Sequence, residues 1–342
     1  MNLKNSNVKI KIPKVLRDKL NNRKINQIYK NFENSLNINE NFAVAVSGGP
    51  DSLALAFLAK IFAIKKKLIA QFYIVDHKLR PESTKEAKVV KKILKRFFIT
   101  SKILTWRGQK PLKNISSIAR KKRYELIFDE CDKTKIKNIL VGHHQGDLFE
   151  NFFIRMLRGS GLKGLISLDL KGKVGEKYLL RPLLYYKKED LIFLSKKVFN
   201  IFIQDPTNED EKYKRIRIRK LIEELQKNGL DNKKFLKTIN NLKYSNEVVN
   251  FYVNKNLQEN SNYINKSNKL ILNKIFFEQP YEIIFRSISE SIKLIGKKYH
   301  YVRGKKLDKI IDDIINNESF RVTLGGCIIE KVSQSVIISK EH

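Results

Sequence analysis

The sequence predicts an α/β fold: a parallel five-stranded twisted sheet with helices on both faces, followed by a smaller, mostly helical domain ending in a β-hairpin. Three observations predict it. Short apolar, β-branched runs recur without the in–out alternation of a one-faced sheet, the pattern of strands buried on both sides. Helical spacing separates each run from the next, as βαβ connections require. Polar, glycine-bearing stretches begin where the runs end, and open α/β sheets bind ligands at the carboxyl ends of their strands.

Residues 1–40 form a basic extension in which Val15–Leu36 reads as one amphipathic helix. The sheet domain spans 41–210, with strands expected at Phe42–Val46, Phe72–Val75, Ile103–Trp106, Asn138–Val141 and Tyr178–Leu180. Its helices are expected at Leu53–Ile64, Lys85–Phe98, Ile115–Cys131, Leu148–Leu157 and Lys188–Val198. Past Asp205-Pro206-Thr207-Asn208 the character changes, and 211–342 reads as the second domain. It carries helical patterns at Tyr213–Asn228, Asn232–Asn256, Ile283–Ile295 and Leu307–Ile315. Two strands follow, Arg321–Glu330 and Val332–Lys340, with Lys331 near their turn.

The charge is the strongest bulk feature. Sixty-nine Lys and Arg stand against 35 Asp and Glu, a net +34 spread along the chain. Such an excess suits a polyanion, most simply nucleic acid; an AT-rich genome that inflates Lys, Asn and Ile is the plainer explanation. No apolar stretch approaches the roughly 20 residues that cross a bilayer, and the N-terminus lacks the apolar core of a secretory signal. A cytoplasmic protein is expected. Cys131 and Cys327 are the only cysteines, so no CxxC pair offers a zinc or iron–sulfur site.

Four stretches carry candidate chemistry. Ser47-Gly48-Gly49-Pro50-Asp51-Ser52 lies between a strand and a helix. Gly48 and Gly49 allow close backbone approach, Pro50 suits a first helical turn, and free N–H groups there bind anions. Ser47 and Ser52 add hydroxyls. Asp51 fits beside a phosphate only if it binds Mg²⁺ or a cationic group; a plain turn with a serine cap is the alternative. No Gly-Lys-Ser/Thr follows, so this is not a Walker loop. The second stretch, Asp76-His77-Lys78-Leu79-Arg80, offers both charge signs at a strand end, while Ser83 and Glu86 could form a capping box. In the third, Arg120 and Arg123 share a helical face, suited to phosphates or simply to solvent. In the fourth, His143 and His144 precede Asp147 and Glu150, two carboxylates on one face at a helix start. That spacing is no recognised zinc pattern.

The loop at Ser47–Ser52 resembles the pyrophosphate loop of the N-type ATP pyrophosphatases, which split ATP between the α- and β-phosphates, adenylate an oxygen and displace AMP. The loop alone does not choose among them. Asp76–Arg80, Ala119-Arg120-Lys121-Lys122-Arg123-Tyr124 and His144–Glu150 are similar to the tRNA(Ile)-lysidine synthetases. Members typically carry His-x-Asp-Asp-x-x-Glu-Thr in the last stretch; here Gly146 replaces the first Asp and Asn151 the Thr. Met156–Leu165, Arg181-Pro182-Leu183-Leu184, Lys188-Glu189-Asp190-Leu191, Asp205–Asn208 and Tyr213–Arg219 match in the same order, with Ile216 where Asn is usual. The match covers about Phe42–Arg219; Thr323–Glu341 resembles the hairpin ending the family's middle domain, and the farthest C-terminal domain of longer relatives is not expected.

The resemblance implies an adenine nucleotide α-hydrolase-like (PP-loop) fold and a carbon–nitrogen ligase. The C2 oxygen of the wobble cytidine, in the CAU anticodon of tRNA(Ile), attacks the α-phosphate of ATP. The amine of free L-lysine then displaces AMP, giving lysidine and changing the codon read from AUG to AUA. It implies Ser47–Ser52 as the ATP loop and Asp51 as the Mg²⁺ ligand. Arg120 and Arg123 would meet phosphate or tRNA, Asp147 and Glu150 lysine or the metal shell, and His77 and His144 would position substrates or move protons. Asp76 and Arg80 would line the pocket, and Arg215, Arg217 and Arg219 would track tRNA phosphates. No membrane partner is expected; a homodimer is compatible with the sequence. A PP-loop tRNA thiolase is the alternative, opposed by the cysteine pattern. A non-catalytic RNA-binding protein is the second, opposed by Asp51, Asp147 and Glu150 standing together.

Overall fold

The computed structural model describes residues 12–109, 111–203, 212, 214–297 and 304–341. The chain divides into two compact units, Met1–Leu230 and Asp231–His342.

The first unit opens with α1 (Lys14–Leu20) and α2 (Arg23–Ser35), where the sequence suggested one helix. Asn22 makes the break: its backbone is extended and its side chain accepts the N–H groups of Lys24 and Ile25, at 3.1 and 3.2 Å, starting a new helix. Then follow β1 (Phe42–Val46), α3 (Pro50–Lys66), β2 (Ala70–Asp76), α4 (Ser83–Lys95), β3 (Ser101–Thr105), α5 (Ile115–Lys133), β4 (Asn138–Leu140), α6 (Gln145–Met156), α7 (Leu162–Leu165), β5 (Lys171–Val174), β6 (Lys177–Leu180), α8 (Lys188–Phe199) and α9 (Lys214–Lys227).

The sheet runs β3-β2-β1-β4-β6-β5, with every pair parallel except β5 on β6. Six strands replace the expected five. β5 is Lys-Gly-Lys-Val at the edge, mostly exposed, so no apolar run marks it. Alternate β1 residues face opposite ways. Phe42, Val44 and Val46 join a core with residues of α1, α2, α3, α4 and α8. Ala43 joins a second core with Tyr73, Ile127, Cys131 and Ile139. Burial on both faces explains the continuous apolar runs. The chain winds outward from β1 to β3 and then returns to β4 on the other side of β1. The topological switch point, where such sheets open a crevice, therefore lies between the carboxyl ends of β1 and β4.

The expected boundary at 210/211 differs from the division after Leu230. α9 packs against α6, burying Ile216, Ile218 and Ile222, and so belongs to the first unit.

The second unit contains α10 (Asn232–Glu259), β7 (Ser261–Ile264), β8 (Lys269–Leu272), α11 (Tyr281–Gly296), α12 (Gly304–Asn316), β9 (Phe320–Leu324), β10 (Cys327–Val332) and β11 (Ser335–Lys340). The expected helices and closing hairpin, β10 with β11, are present, and the hairpin belongs to a larger five-stranded antiparallel sheet, β7-β8-β11-β10-β9. The expected single strand Arg321–Glu330 is two, split where Gly325 and Gly326 both take positive φ, as a tight hairpin turn demands. The next turn falls at Ser333, φ 55°, and Lys331 lies within β10. Leu270, Ile288, Ile292, Ile311, Cys327 and Ile338 build this unit's own core.

Candidate active site

The loop between β1 and α3 is a turn closed on its own serine. Ser52 Oγ accepts the N–H groups of Ser47 and Gly48, at 3.1 and 3.0 Å, and donates to the Gly49 carbonyl at 3.0 Å. Ser47 Oγ lies 3.1 Å from it. Gly48 holds φ +93°, and a Cβ there would collide with Val90 Cγ2 and stand 3.2 Å from Ile203 Cγ1. Ile203 N–H also donates to the Gly48 carbonyl at 2.9 Å. Gly49 caps α3 and Pro50 is its first residue. Gly48 N–H turns inward to Ser52 and Pro50 has none, so neither is available to an anion. Asp51 and Ser52 sit in the first helical turn, whose N–H groups lack helical acceptors.

Three helix starts meet at Asp51. Its Oδ2 lies 3.8 Å from His144 Nε2, at the cap of α6, and 3.6 Å from Lys188 Nζ, the first residue of α8. Its Oδ1 is buried without a hydrogen-bond partner. Gly142, after β4, permits this convergence, since a Cβ there would stand 3.3 Å from the Asp51 carbonyl and the Ser52 Cα.

His144 and Asp147 also have a structural task. His144 Nδ1 accepts the Gly146 N–H at 3.0 Å, and Asp147 Oδ2 accepts the His144 N–H at 2.9 Å. Together they cap α6. With Nδ1 accepting, a neutral His144 carries its proton on Nε2, 3.6 Å from Asp147 Oδ2 and facing Asp51. The ring also explains Gly146, because a Cβ there would stand 2.8 Å from His144 Cε1. Burial opposes the Asp147 charge, but His144, His143 and Arg215 hold its carboxyl below the usual range.

Glu150 is nearly fully buried, and its Oε1 accepts from Arg219 Nε at 3.0 Å and Nη2 at 2.7 Å. Arg219, expected to track tRNA phosphate, here clamps α9 to α6. Glu150 Oε2 is buried and unpartnered. Ile216 is buried on α9, where an apolar side chain fits. Asn151 Nδ2 donates to Ser167 Oγ at 3.2 Å. Arg215 and Arg217 are exposed, and Arg217 Nη1 donates to the Lys212 carbonyl at 3.4 Å.

At the end of β2, Asp76 is buried and ties the strand to α4. Its Oδ1 accepts from Lys78 N–H at 3.0 Å and Ser83 Oγ at 2.8 Å, and its Oδ2 from Thr84 Oγ1 at 2.6 Å. Burial raises its pKa, yet these bonds outweigh burial and hold the carboxyl below its ordinary value. The expected Ser83 cap with its Glu86 box does not form: Ser83 is already helical, and Glu86 instead binds Arg80 Nη2 at 3.0 Å. His77 Nε2 accepts from Arg123 Nε at 3.3 Å; burial and the Arg123 charge push its pKa down to about 4.

His143, to which the sequence assigned no role, is pushed down to about 4 by burial and by Arg120, Arg181 and Arg215, against the opposing pull of Asp147. Its Nδ1 is buried and unpartnered. A neutral imidazole thus feels the charge of three guanidinium groups. Arg120 also lies over the Tyr124 ring at 5.2 Å. Arg181, another residue without an assigned role, is buried and donates to the Asp169 carbonyl at 2.7 Å. Asp205–Asn208 and Tyr213 lie outside the described residues.

A glycine- and serine-bearing turn at the switch point of a mostly parallel sheet is the arrangement of a PP-loop protein, and a family profile described as "PP-loop domain" matches residues 18–225. A tRNA(Ile)-lysidine synthase of Wolbachia pipientis wMel is 33% identical over 317 residues, 91% of this chain and 74% of that one. One from Orientia tsutsugamushi is 32% identical over 314 residues, 89% and 70% of the two chains. The chain belongs to the tRNA(Ile)-lysidine synthase family. A solved U34-tRNA thiolase, NcsA from Methanococcus maripaludis, aligns with TM-score 0.55 at 18% identity, over 64% of this chain and 79% of that one; the likeness is one of fold.

Proposed function

We propose the following course for the lysidine-forming reaction in this chain. ATP lies with its β- and γ-phosphates on the turn of Ser47–Ser52. The C2 oxygen of the wobble cytidine attacks the α-phosphorus, the bond to the bridging oxygen breaks, and pyrophosphate leaves. The lysine amine then attacks C2, the C2–O bond breaks, and AMP departs with that oxygen. Adenylation is needed because an amide-like carbonyl is a poor electrophile until its oxygen can leave. The enzyme's task is positioning and charge stabilisation.

The observation that carries this reading is Asp51, in the first turn of α3 beside the phosphate turn, whose Oδ1 is buried and unpartnered. A carboxylate there suits Mg²⁺, which is commonly held by one or two carboxylates together with substrate phosphates; when bound, the ion would neutralise charge on the leaving pyrophosphate. Arg120 and Arg215, whose charges reach His143, supply cations for phosphate groups. Glu150, with one free oxygen, suits the charged lysine. The attacking amine must lose protons; His77 Nε2 and His144 Nδ1 already accept from Arg123 and Gly146, which leaves the unpartnered His143 Nδ1 and Glu150 Oε2 as the candidate acceptors.

The net charge of +34 supports a long tRNA footprint. Among the described residues no helix is long and apolar enough to cross a membrane. We place the enzyme in the cytoplasm with its tRNA and propose that it assembles as a homodimer, which light scattering tests. Incubation with ATP, labelled lysine and total tRNA, followed by nucleoside analysis, tests the main reading. Lysidine should form with lysine and not with a sulfur donor. Near-normal turnover by Asp51→Ala would sink the assignment of Asp51.

A further inference from the structure

Lys188 breaks a local rule. α8 opens with Lys187 at its cap and Lys188 as its first residue, with no side-chain hydrogen bond to cap it, although the N-terminal end of a helix disfavours cations. Asp190, in the same turn, is 2.7 Å from Lys24. Residues that violate a local preference mark sites where something else is being satisfied. Here it is Asp51: Lys188 Nζ stands 3.6 Å from its Oδ2. Packed elements fix that spacing. Ser195 of α8 is fully buried, and its Oγ donates to the Pro50 carbonyl at 2.5 Å, fastening α8 against the start of α3. The Lys188 side chain remains 40% exposed on a flexible stem, free to reach a neighbouring anion.

We propose that Lys188 is a pyrophosphate-binding residue, paired with Asp51 before nucleotide arrives and moving to β- and γ-phosphate oxygens when a divalent cation takes the Asp51 carboxylate. The inference rests on the ATP reading above. Its logic is competition. A dication and an ammonium at one carboxylate repel each other, so the incoming ion displaces Lys188, and the nearest new anion is the pyrophosphate moiety that the ion accompanies. A compact ammonium suits phosphate as a point charge. Lys188 is then a positioning group for the leaving pyrophosphate, and its contribution depends on the metal.

The test is calorimetric binding of α,β-methylene-ATP, inorganic pyrophosphate and AMP to the full chain, to Lys188→Met and to Lys188→Arg, each with Mg²⁺ and with EDTA. With Mg²⁺, Lys188→Met should bind the analogue and pyrophosphate about tenfold more weakly, the size of one lost charge-assisted hydrogen bond. AMP affinity should not change, and Lys188→Arg should stay close to wild type. In EDTA the Lys188→Met loss should shrink to about twofold, since Asp51 already holds Lys188. An equal loss for AMP, or an equal loss with and without Mg²⁺, would overturn the proposal. Wild-type protein that binds none of the three probes would instead overturn the ATP reading on which it rests.

Discussion

Replacing Gly48 by alanine tests whether the Ser47–Ser52 turn is as constrained as its geometry requires. Two costs add. Gly48 holds φ +93°, which an L-residue adopts only with strain, of roughly 1–2 kcal/mol. The new Cβ also collides with Val90 Cγ2, in a side chain only 1% exposed; such overpacking costs about 1–3 kcal/mol. The sum, roughly 2–5 kcal/mol, is a large fraction of the 5–15 kcal/mol typical of a folded domain. It corresponds to a fall of about 5–15 °C in Tm for a unit of this size. Urea unfolding followed by fluorescence reads the first unit selectively, because Trp106 is the only tryptophan and is buried there. Val90→Ala alone should cost about 1.5–2.5 kcal/mol through lost methyl burial. In the double variant the deleted atoms are those in collision, so the two effects should miss additivity by about 1–3 kcal/mol in the stabilising direction. Stability unchanged in Gly48→Ala, or strict additivity in the double variant, would refute the reasoning.

Three other outcomes are expected. Arg219→Met strands the buried Glu150 charge and should destabilise the first unit by about 1–3 kcal/mol, moderated by the partial exposure of Arg219; adding Glu150→Gln should recover part of that in a urea-denaturation cycle. His77 and His143 have folded pKa values of about 4, below the ordinary 6.5. The unfolded chain therefore binds more protons between those values, and stability should fall as pH drops from about 6.5 to 4; His77→Gln should flatten that slope in chemical denaturation at each pH. Affinity for tRNA should fall steeply with salt in filter binding, and a flat response would contradict an electrostatic footprint.

The legible parts of the fold were those fixed by burial. Phe42–Val46 and Asn138–Leu140 are buried from both sides, so their composition marks them as central parallel strands. The edge strand Lys171–Val174 and the short strand Ser261–Ile264 bury little and leave no apolar signature. The break at Asn22 was written in a capping side chain that helical periodicity alone passes over. At the site, local spacing correctly placed Asp51 at a helix start, and Asp147 with Glu150 on α6. It could not show that Glu150 is matched to Arg219, 69 residues away, or that the charges of Arg120, Arg181 and Arg215 act on His143, because those relations exist only once the sheet is wound. The departures Gly146 and Ile216 became intelligible only beside the His144 ring and the buried side of α9.

Each compact unit carries one buried thiol: Cys131 in the core between α5 and the sheet, and Cys327 in the core of the second unit. Burial pushes the Cys131 thiol up to about 12, so it stays protonated and inert while its unit is folded. The chain thus holds a built-in pair of clocks. A thiol-specific reagent followed by peptide mass mapping times the opening of each unit separately, in a single untouched molecule. Comparing labelling rates with and without tRNA would report which half of the enzyme the substrate steadies, without a tag or an engineered probe.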